Sequence, residues 1–249
     1  MGRKIIESLN MTQKTVLITG ANSGIGLATV EKFLKNDYFI FANYHKSDKN
    51  LLKLKNKNIL TFKADLTRVS EIKKLVKFCL NKKNRLDVLI NNAAIQITSE
   101  SIEEINLKKY EHVMSLNTRA PYILSQLAMK QMKKQRGGRI INISSIGTKY
   151  GGNPSTGTYT ISKAALEAMT LIFAKYGAPF NILVNALRVG ITNTNFLKHN
   201  IKKNLDKRIQ LIPLKRLGEP SEIANTIFFL SSDESSYTTG SIISIAGGD

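Results

Sequence analysis

The sequence predicts an α/β fold. It is a single doubly wound domain with a seven-stranded, mostly parallel sheet, order 3-2-1-4-5-6-7, and helices on both faces. Short apolar or β-branched runs alternate with segments of helical period from Lys14 onward. The strand runs are nearly continuous in apolar residues, as strands buried on both faces require. No internal repeat, low-complexity stretch or linker interrupts the alternation, so residues 14–249 read as one unit, with 1–13 as an N-terminal extension.

The elements follow in order. "KTVLIT" (14–19) is a buried strand that runs into glycine, and "GIGLATVEKFLKND" continues it at helical period. "YFIFANY" and "KNILTFKAD" are strands two and three. "SEIKKLVKFCLN" is a helix with Ile72, Leu75, Val76 and Cys79 on one face and Ser70 as its N-cap. "LDVLINNAA" is strand four, and residues 106–135 form one long helix that tolerates Pro121. "GGRIINISS" is strand five, "TYTISKAALEAM" opens a helix to about Tyr176, and "FNILVNALR" is strand six. Residues 193–212 are basic and loosely helical. "EPSEIANTIFFLSSD" is a helix with proline near its start, and "GSIISIAGG" is the last strand.

Bulk composition bounds the function. Hydrophobic residues make up 42% of the chain, enough for a sizeable core, and no apolar run reaches the length of a membrane span. The first residues carry neither a secretory nor a myristoylation pattern, so a cytoplasmic location is expected. The one cysteine, Cys79, reads as a small buried apolar residue. Net charge is +19, which points to anionic partners. The lysines are dispersed and lack interleaved aromatic residues, so specific nucleic-acid binding is not expected and compositional bias is the favoured explanation. His45, His112 and His199 are scattered, and no His/Cys/carboxylate set has metal-ligand spacing; no metal is expected.

Ligands of an open α/β sheet bind beyond the carboxyl ends of its strands. After strand one, "TGANSGIG" places glycines at 20, 24 and 26, a turn whose backbone can approach a pyrophosphate at a helix N-terminus. Strand two ends in Asn43, Tyr44, His45 and Lys46 with no carboxylate for ribose hydroxyls. His45 and Lys46 suit a 2′-phosphate, favouring NADP(H) over NAD(H), although a solvated basic turn explains them equally well. Asp65, after strand three, accepts from an adenine amino group or caps the next helix, and the cap is the stronger reading. Asn91 to Ala94, "NNAA", suits a close backbone approach or an ordinary Asn-rich turn. Tyr159 and Lys163 share a helix face one turn apart, downstream of a strand that ends in Ser144 and Ser145.

"TGANSGIG", "NNAA", "ISS" and "YTISK", in this order and spacing, resemble the short-chain dehydrogenase/reductase family, with a serine fourteen residues before a Tyr-x3-Lys. The resemblance spans residues 14–249 and implies a Rossmann-type domain. It implies Asn117, Ser145, Tyr159 and Lys163 as catalytic residues. Gly20, Asn22, Ser23, Gly24, Ile25 and Gly26 would cradle the pyrophosphate, and Asp65 and Leu66 would meet the adenine. Asn91 would stabilise the central strands, with backbone near Ala93 meeting the ribose. Asn43, His45, Lys46, Gly190, Thr192 and Thr194 complete the cofactor set, Thr194 at the carboxamide. The family's Pro-Gly after strand six is Val189-Gly190 here, and Asn193 stands where many members have a carboxylate; the turn is expected to survive both.

The chemistry implied is hydride transfer between NAD(P)(H) and a carbonyl or secondary alcohol, with Tyr159 as general acid/base. Lys163 is expected to lower the phenol's pKa, Ser145 to donate to the carbonyl oxygen, and Asn117 to hold Lys163 through water. Ser162, between Tyr159 and Lys163, is expected only to pack or cap locally. Residues 190–216 read as a substrate loop with Phe196, Leu197, Ile201, Leu205, Ile209 and Leu211 as an apolar wall. Lys198, Lys202, Lys203, Lys207 and Arg208 form its outer face. A mobile amphipathic lid with solvated lysines is the preferred reading of it. A 3-oxoacyl thioester on an acidic carrier is the leading substrate class, and a sugar or another small alcohol or ketone the alternative. A homotetramer or dimer through helices 107–135 and 158–176 is implied by the resemblance alone. Two non-enzymatic alternatives are a basic nucleic-acid-binding protein and a cofactor sensor without turnover.

Overall fold

The computed structural model describes residues 13–99, 101–103, 106–200 and 205–249, without the side chains of 198–200. The expected N-terminal extension therefore lies almost wholly outside the described residues, as do Ile201, Lys202 and Lys203.

Seven strands are formed: β1 (Thr15–Ile18), β2 (Phe39–Tyr44), β3 (Ile59–Lys63), β4 (Val88–Asn91), β5 (Gly138–Ser145), β6 (Ile182–Val189) and β7 (Ile242–Ile245). They pair in the order β3-β2-β1-β4-β5-β6-β7, every pairing parallel. The helices between them are α1 (Gly24–Leu34), α2 (Lys49–Lys53), α3 (Val69–Lys83), α4 (Leu107–Met114), α5 (Ala120–Gln135), α6 (Gly157–Gly177), α7 (Asn195–Asn200), α8 (Leu205–Leu211) and α9 (Pro220–Ser231). A parallel sheet needs a crossover between strands, and the helices supply it while covering both faces.

Two cores result. On one face Val30 and Phe33 of α1 and Ile223, Ile227 and Leu230 of α9 pack on Val16, Ile18, Ile40 and Ile90. On the other, Ile72, Leu75 and Cys79 of α3, Leu124 and Met132 of α5 and Leu166 and Phe173 of α6 pack on Leu17, Phe41, Leu89 and Ile140. The central strands thus bury both sets of alternating side chains, which is why their sequences show no polar face, whereas the edge strands β3 and β7 are only partly buried. The strand order reverses between β1 and β4, and a crevice opens there at the carboxyl ends.

Two local expectations are corrected. α3 begins at Val69 with Arg68 as N-cap, so Ser70 is inside the helix. The carboxylate in its first turn, Glu71, reaches back to accept from the Asp65 N–H at 2.6 Å, which fixes the entry of the chain. The single helix expected over 106–135 is interrupted by a π-helical turn, Ser115–Arg119, where the Ala120 N–H donates to the Ser115 carbonyl. Pro121 has no N–H and its ring crowds the preceding turn; widening that turn by one residue relieves the clash. The short α2 was not foreseen, because five residues rich in lysine carry no readable period.

Candidate active site

The cleft has a volume of about 560 Å³ and runs along the strand ends, within the size of small-molecule sites. One end is the glycine turn after β1. Gly20 has φ +62°. A Cβ on Gly26 would lie 2.3 Å from the Gly20 carbonyl oxygen, so the first turn of α1 folds onto the loop only with glycine there. Gly24 has φ +52°, and a Cβ on it would lie 3.0 Å from Thr194 Cγ2 across the cleft. α1 starts at Ser23 without a side-chain cap and without an acidic residue in its first turn, leaving its N–H groups and positive dipole end to the cleft. This donor set fits a pyrophosphate.

Of the residues singled out for a cofactor, Gly20, Ser23, Gly24 and Ile25 line the cleft at this end, and Asn43, His45 and Lys46 line it at β2. Asp65, Leu66 and Ala93 line it at β3 and β4, and Gly190, Thr192 and Thr194 at β6. Asn22, Gly26, Asn91 and Asn117 stand behind the wall. The Asn22 side chain is turned away to accept from the N–H groups of Asn50 and Leu51, holding α2. Asn91 is buried between the strands, donating to Asn142 Oδ1 at 2.8 Å and to Ser125 Oγ at 3.1 Å. Its neighbour Asn92, not singled out from the sequence, lines the cleft and donates to the carbonyls of Thr19 and Gly20.

Asn43 is buried and braces the glycine turn, accepting from the Gly20 N–H at 3.4 Å. Asp48, the next carboxylate after β2, lies near the Tyr44 hydroxyl. Asp65 accepts from both the N–H and the hydroxyl of Thr67, a turn that precedes α3; it is not the helix cap the sequence favoured, because the N-cap of α3 is Arg68. Burial raises its carboxyl; those bonds, with His45 and Arg68 nearby, outweigh burial and hold it below its ordinary value.

At the other end stand Ser145, Tyr159 and Lys163. Ser145 is the last residue of β5, and its Oγ accepts from the Gly147 N–H at 3.2 Å. Tyr159 lies in the first turn of α6 and lines the cleft with its phenol group near the Ser145 hydroxyl. Burial pushes the phenol up to about 12, partly offset by the Ser145 hydroxyl near it. Lys163 is 2% exposed and its Nζ donates to the Ile143 carbonyl at 2.6 Å, 5.7 Å from the centre of the Tyr159 ring. Burial pulls this ammonium down to about 8. The expected lowering of Tyr159 by Lys163 is therefore not found. The ammonium is committed to a carbonyl on the face side of the ring, and desolvation dominates both groups.

Asn117 is fully buried in the π-helical turn. Its amide accepts from the Ile95 N–H and donates to the Ile95 carbonyl, and it donates to Ser162 Oγ at 3.0 Å. Ser162 Oγ donates in turn to the Tyr159 carbonyl at 2.6 Å. Ser162 thus links Asn117 to the helix turn that carries Tyr159, more than the packing expected of it.

The substitution of Val189 for proline is absorbed: β6 continues through Val189, paired with Ser145 and Ile245, and the Gly190 N–H donates to the Ile245 carbonyl. Asn193 donates to Glu219 and anchors the loop that follows. Phe196 and Leu197 line the cleft, and the Phe196 ring lies 6.1 Å from that of Tyr159. Leu211 is 68% exposed and does not reach the wall; Ile212 is buried in its place, and Leu205 and Ile209 also stand off the cleft. Among the described residues no three His, Cys, Asp or Glu side chains converge to hold a metal, and no helix is long and apolar enough to cross a membrane.

Residues 20–249 match the family model described as enoyl-(acyl carrier protein) reductase. A 3-oxoacyl-(acyl-carrier-protein) reductase FabG of Thermotoga maritima is 37% identical over 246 residues, covering 96% of this chain and 99% of the relative. The protein of the same name from Buchnera aphidicola subsp. Schizaphis graminum is 34% identical over 248 residues, covering 96% and 98%. A 3alpha-hydroxysteroid dehydrogenase of Mediterraneibacter gnavus is 34% identical over 244 residues, covering 95% and 97%.

Proposed function

This chain belongs to the short-chain dehydrogenase/reductase family and is an NAD(P)-dependent oxidoreductase; we propose that it reduces the carbonyl of 3-oxoacyl thioesters with NADPH. The observation that carries the reading is the enclosed Ser145–Tyr159 pair, with Lys163 one helix turn away, at the strand ends opposite a glycine cradle. The bound nicotinamide would supply the hydride. Gly20, Ser23, Gly24 and the first turn of α1 would hold the pyrophosphate, and Lys163 the ribose next to the nicotinamide. Thr194, with Gly190 and Thr192 beside it, would meet the carboxamide.

Tyr159 serves as the acid. A phenol pushed up to about 12 is fully protonated at neutral pH and still far more acidic than the alcohol being formed, so it gives its proton to the carbonyl oxygen as negative charge grows there. Ser145 bonds to the same oxygen and spreads that charge.

His45 and Lys46 at the cleft, and the absence of a carboxylate from the end of β2, support NADP(H) over NAD(H). The names of the Thermotoga and Buchnera relatives support the thioester substrate, delivered on an acidic carrier to a chain of charge +19. Phe196 against Tyr159 supports residues 190–216 as the substrate loop of a single domain spanning 14–249. The Mediterraneibacter relative's name supports a second reading, a small cyclic alcohol or ketone. Exposed Tyr122, Ile161, Ile172 and Tyr176 on α5 and α6 support a homotetramer or dimer through those helices, in a cytoplasmic protein.

A screen of carbonyl substrates, 3-oxoacyl thioesters and hydroxysteroid ketones included, run with NADPH and NADH in parallel, tests the proposal. Turnover of a 3-oxoacyl thioester at least about tenfold more efficient than of any other carbonyl supports it. Turnover confined to cyclic ketones replaces it with the second reading, and no NAD(P)H-dependent turnover of any carbonyl contradicts both.

A further inference from the structure

The Glu167 carboxylate, one turn past Lys163 on α6, is almost fully buried yet belongs to no expected part of the site. It gathers donors from three other elements. Ser144 Oγ of β5 donates to Oε1 at 2.7 Å, and Thr148 Oγ1, in the short turn after β5, lies 2.7 Å from the same oxygen. The Arg188 guanidinium of β6 donates to both oxygens, Nε to Oε1 at 2.9 Å and Nη2 to Oε2 at 2.7 Å. Burial raises this carboxyl, but the bonds from Arg188, Thr148 and Ser144 outweigh it and hold it below its ordinary value, so it is ionised at neutral pH.

Ser144 and Thr148 bracket Ser145. Thr148 Oγ1 is also 2.8 Å from the Ser145 carbonyl, and Ser145 Oγ accepts from Gly147 in the same turn. Ser144 Oγ lies 3.5 Å from the Lys163 carbonyl as well. One carboxylate therefore grips the chain immediately before and three residues after Ser145, from the helix that carries Tyr159 and Lys163.

We propose that Glu167 is a positioning residue for the carbonyl reduction: it fixes the turn after β5 and thereby aims Ser145 at Tyr159. The inference rests on the reading of Ser145 and Tyr159 given above. Stability alone does not account for the arrangement, because a buried ion pair is commonly no more stabilising than apolar residues of the same size.

Two variants of the full chain separate positioning from stability. Glu167→Leu with Arg188→Leu removes both charges together and leaves none unpaired. Ser144→Ala with Thr148→Ala keeps the ion pair and cuts only the grip on the turn. Both are expected to bind NADPH within about twofold of the parent and to lose at least about tenfold in kcat. The chain has no tryptophan, so NADPH fluorescence reads binding directly. With the Ser145 hydroxyl no longer held beside the Tyr159 phenol, the rising limb of alcohol oxidation moves to higher pH by about half a unit or more.

A purely structural role would lower melting temperature and leave that limb in place. Parental kcat with an unmoved pH profile in Ser144→Ala/Thr148→Ala overturns the proposal, and that variant decides alone if the leucine pair fails to fold. A parent chain with no NAD(P)H-dependent turnover of any carbonyl would instead remove the reading on which the proposal rests.

Discussion

Asn117 Nδ2 donates to Ser162 Oγ at 3.0 Å, and the same hydroxyl donates onward to the Tyr159 carbonyl, tying the π-helical turn to the first turn of α6. Ser162→Ala removes both bonds and leaves one amide proton of buried Asn117 without that acceptor. We expect a stability loss of about 1–2 kcal/mol and a severalfold fall in kcat, with NADPH affinity unchanged. Urea unfolding and steady-state kinetics read the two effects. An unaltered kcat would mean that the link does not hold Tyr159 in place.

The buried Lys163 ammonium makes a pH-dependent cost. Its pKa falls from 10.5 to about 8 on folding, so below about pH 8 the charge is present in both states and destabilises the fold. Between about 8 and 10.5 the unfolded chain holds the proton that the folded chain has lost, and stability rises with pH. Lys163→Met should therefore be more stable than the parent at neutral pH by up to about 3 kcal/mol, less the lost Ile143 bond. That advantage should vanish above pH 10.5. A stability difference that is flat between pH 7 and 10.5 contradicts the shift.

Gly26→Ala puts a Cβ 2.3 Å from the Gly20 carbonyl, which only movement of the glycine turn can relieve. Overpacking of this kind costs about 1–3 kcal/mol. Because the turn is the proposed pyrophosphate cradle, NADPH affinity should fall at least about tenfold. Gly151→Ala, at a positive φ with open space around it, serves as the control for backbone strain away from the cleft and should leave affinity intact.

His45→Ala with Lys46→Ala should weaken NADPH binding by about five- to tenfold while leaving NADH binding nearly unchanged. The NADPH advantage of the parent should shrink as salt is added, because both residues are exposed. Equal loss for the two cofactors would assign these residues to the backbone of the dinucleotide and not to its 2′-phosphate.

The alternation of strands and helices and much of the lining at the strand ends were readable because they follow from period and strand-end position; the strand order follows from the fold class these imply. Apolar runs such as "VLIN" and "IINIS" leave no polar face, and glycines at 20, 24 and 26 mark where backbone must come close. What escaped reading were interactions between residues far apart in the chain. Ser162 resembled any small helix residue until the π-helical turn brought Asn117 to it. Glu167 and Arg188 are 21 residues apart with no motif to link them; only β5 and β6 pairing beside α6 joins them. The phenol's upward shift was missed for the same reason. Spacing shows that Lys163 is near Tyr159, but not that its Nζ is spent on Ile143.

The central claim, that Tyr159 is the proton donor in an NADPH-dependent carbonyl reduction, is tested most directly by Tyr159→Phe assayed with a 3-oxoacyl thioester. Loss of the hydroxyl should lower kcat by about 10²–10⁴-fold while NADPH still binds within about twofold. A Tyr159→Phe enzyme that binds NADPH and turns over at the parental rate would contradict it.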